Sequence, residues 1–108
     1  MKTITLRIKK EELDLIRAGT KKHEWRAPTK FYWSLLGIKG ADGVKIANPD
    51  ITAIHFINGY AKDAPRLLVE CKGIRPVRFQ QDTDIPEDNF KALKGQCAFE
   101  ITLGEIIK

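Results

Sequence analysis

The sequence predicts a mainly β, α+β domain: a small mixed or closed sheet of about five or six strands, with two short helices at its ends. Three observations point there. Several runs alternate apolar and polar residues with the period of two that marks a half-buried strand, the first being Ile4, Leu6 and Ile8. Only two stretches carry helix-start and helix-stop signals, and both are short. Finally, 108 residues with 43% hydrophobic and 31% charged side chains suit a single ordered core.

The elements follow in order. After the first strand, Lys10 to Ala18 reads as a helix. Glu11 and Glu12 lie in its first turn, where carboxylates complement the dipole, Arg17 lies near its end, and Gly19 is a natural left-handed stop. Lys21 to Arg26 is expected as the next strand, joined to the helix by Gly19-Thr20 alone. Pro28 breaks it, and Lys30 to Gly37 reads equally as a helical turn or a buried loop. Gly37, Gly40 and Gly43 argue against a regular element from 37 to 44. Val44 to Ile46 is expected as a short strand before a turn at Asn48-Pro49-Asp50.

Ile51 to Asn58 is rich in β-branched and aromatic residues and reads as a strong strand. Arg66 to Ile74 is the next, able to continue past Gly73 and Pro76 through a bulge or at an edge. Pro86, at a first helical position, is expected to start a helix through Leu93, with Phe90 and Leu93 inward and Gly95 closing it. Phe99, Ile101 and Leu103 alternate as the final strand. With no repeat, low-complexity tract or linker, residues 1–108 are expected to form one domain.

Composition narrows the function. No run approaches the ~20 apolar residues of a membrane span, and the alternating N-terminus has no signal-peptide core, so a cytoplasmic protein without membrane contact is expected. Cys71 and Cys97 have no partner at metal-ligand spacing and read as buried free thiols. His23 and His55 are single histidines on expected strands, so no metal is predicted, and no cofactor. Nor is there a nucleophile triad, a phosphate-binding loop or a dinucleotide fingerprint. The net charge of +5, from 19 Lys plus Arg against 14 Asp plus Glu, favours an anionic partner. Lys9, Lys10, Arg17, Lys21, Lys22, Arg26 and Lys30 crowd the first third, which suggests one electropositive face. The acids Asp82, Asp84, Glu87 and Asp88 read most simply as a solvated loop and helix start.

The run Ile16-Arg17-Ala18-Gly19-Thr20-Lys21-Lys22-His23-Glu24-Trp25-Arg26 resembles the hallmark of the ASCH domain family: a helix ending in Gly-x-Lys, then a strand carrying Glu-x-Arg. Phe99 to Ile107 resembles that family's closing strand, and the order of elements matches over nearly the whole chain. The resemblance implies a small PUA-like β-barrel whose basic cleft, built around the Gly-x-Lys loop and adjoining strand, binds RNA or a nucleotide. It also implies an alternative, since a few small members are amidohydrolases acting on acetylated cytidine. In those, a lysine at the position of Lys21 works with a threonine three residues on and a downstream acidic residue. Here Glu24 stands at the threonine position.

As a strand, this segment would put Lys22, Glu24 and Arg26 on one face and Lys21, His23 and Trp25 on the other. For binding, Lys21, Lys22 and Arg26 would contact phosphates or a base edge, Arg26 as a bidentate fork, with Glu24 positioning one of them. The plainer reading makes Glu24 and Arg26 a structural ion pair. Phe31, Tyr32 and Trp33, with Lys30 beside them, could offer a stacking platform worth roughly 1–3 kcal/mol per base, although Phe31 is expected in the core, and Trp25 would wall the cleft. For hydrolysis, Lys21 would be base or nucleophile, assisted by Glu24 or Glu70. Lys22 and Arg26 would press Lys21 toward its neutral form, and Glu24 would oppose them. The third reading is a non-catalytic protein-interaction module.

Overall fold

Alternation of apolar residues draws five strands into one sheet. The structure, a computed structural model, describes residues 1–108. Strand β1 (Lys2–Arg7) leads into helix α1 (Lys10–Arg17), then β2 (His23–Arg26), helix α2 (Lys30–Leu36), and the short strands β3 (Gly37–Lys39) and β4 (Lys45–Ala47). The long strands β5 (Ile51–Ile57) and β6 (Arg66–Arg78) follow. A small hairpin, β7 (Thr83–Ile85) and β8 (Phe90–Ala92), encloses a 3₁₀ turn at Pro86–Asp88, and β9 (Cys97–Ile106) closes the chain. The main sheet runs β1-β5-β6-β9-β2, with β1 parallel to β5 and every other pair antiparallel.

This is the mainly β, α+β architecture that the alternation predicts. The extra strands, beyond five or six, are the β3–β4 and β7–β8 hairpins. The sheet does not close as a barrel. Its edges, β1 and β2, share no ladder, and the gap is crossed by a side chain, Arg26 Nη2 donating to the Arg7 carbonyl at 2.9 Å.

The core forms where the sheet meets the two helices. Ile4, Leu6, Ile54, Phe56, Leu67, Val69, Phe99, Ile101 and Leu103 meet Leu13 and Ile16 of α1 and Leu36 of α2. Leu13 and Ile16 are three residues apart, so one stripe of α1 plugs one end of the sheet. Trp33 packs edge-on against Phe99, with ring centroids 4.7 Å apart. No helix is long and apolar enough to cross a membrane.

Several expectations need correction. Residues 86–93 do not form a helix: Asn89 takes a left-handed conformation (φ 54°) that stops the turn after Asp88, and Phe90 pairs with Ile85 instead. Leu93 is consequently exposed rather than inward. The glycine-rich 37–44 segment holds a regular element after all, β3 paired with β4. Gly37 is there for packing, because a Cβ on it would stand 2.7 Å from the Trp33 ring. Residues 30–36 are a helix capped by the Thr29 side chain, and that helix turns Phe31 out to 66% exposure. Cys71 is buried but Cys97 is exposed. As its sequence allows, β6 does run past Gly73 and Pro76, with register shifts between Val69 and Gly73.

Candidate functional site

The open seam between β1 and β2 holds the densest charge network of the molecule. It begins where α1 stops. Gly19 turns the chain in the left-handed region (φ 79°), and the amides of Thr20 and Lys21 both donate to the Leu15 carbonyl, at 3.0 and 3.1 Å. That turn tucks the Lys21 side chain beneath the helix, with 1% of it exposed. Its Nζ lies 3.3 Å from Glu24 Oε1 and 3.5 Å from Glu12 Oε1, and it donates to the Asp88 carbonyl. Three oxygens thus surround this buried nitrogen, and the Asp88 carbonyl is the one it hydrogen-bonds.

Glu24, 3% exposed, is the hub. Its second oxygen accepts from Arg26 Nη2 at 2.5 Å and Nε at 3.1 Å. Arg26 in turn donates through Nη1 to the Tyr32 hydroxyl at 2.9 Å. Burial works against the charged guanidinium, but Glu24 and Tyr32 outweigh it and hold the Arg26 pKa above its usual value. The expected alternation of faces fails at Lys21 because the strand begins only at His23. Lys21 therefore joins Glu24 and Arg26 instead of His23 and Trp25.

Asp88 organises the other side. It is fully buried, not solvated as its acidic neighbourhood suggests. Oδ1 accepts from the amides of Lys22 (2.9 Å) and His23 (3.2 Å), and Oδ2 lies 3.1 Å from both His23 Nδ1 and Trp25 Nε1. One carboxylate thus clamps the β7–β8 hairpin onto the start of β2. Trp25 also stacks on Phe90, with centroids 4.5 Å apart and planes 12° from parallel.

Above this network opens a cleft of about 490 Å³. Arg7 of β1 and Ile8 and Lys9 after it line one side, Glu24, Trp25 and Arg26 of β2 line the other, and Glu12 and Asn58 complete the lining. Asn58 is anchored by its Nδ2, which donates to the Ile8 carbonyl at 2.8 Å. Of the residues singled out from sequence, Glu24, Trp25 and Arg26 border the cleft and Tyr32 supports it through Arg26. Lys21 lies beneath it, and the exposed Lys22 touches the network only through its backbone. Lys30 and Trp33 are elsewhere, in a separate groove of about 290 Å³ on the other flank of α2. Glu70 is also elsewhere, accepting from the Glu105 amide at 3.2 Å. It fits there because Gly104 leaves it room: a Cβ at that position would stand 2.1 Å from its Oε1.

Sequence reasoning missed Arg7, Glu12, Asn58 and Asp88 as site residues. Arg7 ends β1 and Asn58 directly follows β5, and the parallel pairing of those strands, Arg7 opposite Ile57, brings them together. Exposed Tyr60 was missed too; its ring lies under the Arg7 guanidinium, 4.5 Å from centroid to carbon. No three His, Cys, Asp or Glu side chains are grouped to hold a metal. Comparison with family models, with curated proteins and with solved structures finds no match to the chain.

Proposed function

We propose that the chain is an RNA- or nucleotide-binding module of the ASCH type, with the seam between β1 and β2 as its binding cleft. The carrying observation is the division of labour among the cations. Arg7, Lys9 and Arg26 border an open cleft beside Trp25, while Lys21 is buried and surrounded by oxygens. Glu24, Tyr32 and the Arg7 carbonyl engage four of the five Arg26 N–H donors, so the one left on Nη1 is fixed in place before any ligand arrives. The motif gains a physical meaning that supports the family reading: Gly19 makes the turn, Lys21 locks it, and Glu24 links the lock to Arg26.

The amidohydrolase alternative has the 3.3 Å approach of Lys21 to Glu24 in its favour. Against it, Lys21 does not border the cleft, and with 1% of its side chain exposed its amine is not open to a substrate.

Titration of short RNAs, a mononucleotide and acetylated cytidine across a salt series separates the readings. Wild type should bind RNA with salt-sensitive affinity, and Arg7→Ala with Lys9→Ala should weaken it about tenfold and flatten the salt dependence. Loss of the acetyl group that requires Lys21 would promote the hydrolase. Absence of any binding or turnover would leave the protein-interaction reading.

A further inference from the structure

From the groove beyond α2 we infer a second binding site, for the phosphodiester backbone of a single-stranded RNA. The inference rests on the cleft reading for the identity of the ligand, but its geometry is independent of the cleft. Lys30 of α2, Lys39 of β3 and Lys45 of β4 converge on this groove, with Trp33 and Ile38 as its apolar lining. All three lysines are exposed, and none takes part in an ion pair. The groove contains no carboxylate. The one acid of the hairpin turn, Asp42, is committed to the Val44 amide at 3.0 Å.

The pairing register sharpens the point. Lys39 and Lys45 are directly opposite one another in the β3–β4 ladder, where side chains stand roughly 5 Å apart and like charges are destabilising. Lysines on exposed strands also discourage edge-to-edge pairing, but that role needs no third lysine from a helix and no groove. An anion bridging the lysines relieves the repulsion; nothing in the chain does.

Helix α2 explains why the ligand should be a strand. Tyr32 on one flank holds the cleft arginine, while Lys30, Trp33 and Ser34 line the groove on the other. A ligand touching both sites must cross a helix about 10 Å wide. An oligonucleotide does so and a nucleoside does not. The sites together therefore select polymer over monomer, through phosphate contacts that position a strand without reading its sequence.

The test is an amide-resolved NMR titration of the whole chain with an eight-nucleotide single-stranded RNA and, separately, cytidine monophosphate. RNA should move amides of both Lys39–Lys45 and Arg7–Arg26, while the monophosphate should move the cleft set alone. Lys39→Ala with Lys45→Ala should weaken RNA about tenfold at low salt and reduce the slope of log affinity against log salt by about 1.4, without changing monophosphate binding. Lys39→Glu should bind RNA more weakly still, yet melt no lower than wild type, because it converts the like-charged pair into an ion pair. Shifts confined to the cleft, with affinity indifferent to Lys39 and Lys45, would overturn this inference and leave the cleft reading intact. Shifts confined to the groove would do the reverse, and no shift with RNA would end both.

Discussion

The two flanks of α2 hold their cations in opposite ways. On the β2 side, Lys21 and Arg26 are buried against Glu12, Glu24 and the Tyr32 hydroxyl, each charge matched by an acceptor. On the hairpin side, Lys30, Lys39 and Lys45 are exposed and unmatched. The contrast separates cations that hold the chain together from cations available to something outside it. Arg26 belongs to both groups, since its guanidinium is fixed by the network and still borders the cleft.

The strongest way to break the contrast is to remove the hub. Glu24→Gln leaves Arg26 without a counter-charge and Lys21 with Glu12 alone, and should cost about 3–5 kcal/mol in denaturant unfolding. An equally large loss from Lys39→Ala would erase the distinction between the flanks. Asp88→Asn comes next: an amide nitrogen would face donors that now meet a carboxylate, at a cost of about 1.5–3 kcal/mol, with altered Trp25 fluorescence reporting the loosened hairpin. The double change at Lys39 and Lys45 should stay within about 0.5 kcal/mol of wild type, as befits exposed side chains.

The smallest effect is a pH dependence. Burial in the core, with help from Glu70 and against a Gly73 backbone hydrogen bond, raises the Cys71 pKa. Folding therefore favours the neutral thiol, a contribution intact below the unfolded thiol value near ~8.5 and lost as pH climbs through the higher folded value. Denaturation midpoints should fall in that alkaline range, and Cys71→Ala should flatten the fall. Arg26, its pKa raised as well, stays charged throughout, so its pairing with Glu24 should not share in this loss. In the folded protein an alkylating reagent should label Cys97 and spare Cys71.

Local pattern made much of this readable. β1, α1, β5 and β9 each carry their own periodicity, and the Glu24–Arg26 pair is two residues apart on one strand. What stayed hidden depends on distant partners. The burial of Lys21 requires an acceptor 67 residues away, and Asp88 looks like one more surface acid until four donors surround it. The 86–92 segment misled because Pro86 is as good a start for one turn as for a helix; the outcome turns on Asn89 and on pairing with β7. Lys30 and Trp33 read as neighbours of the motif because they follow it closely. In space α2 carries them to the opposite side.

The unclosed sheet has a consequence for self-association. Strands β1 and β2 leave their outer edges unladdered, the feature by which sheets of separate molecules add to one another. The cations along this seam, Arg7, Lys9 and Arg26, outnumber its carboxylates Glu12 and Glu24, so the charges that face the cleft also repel an incoming copy. Neutralising them together should remove that guard against strand addition, and such a variant should polymerise at lower concentration than wild type.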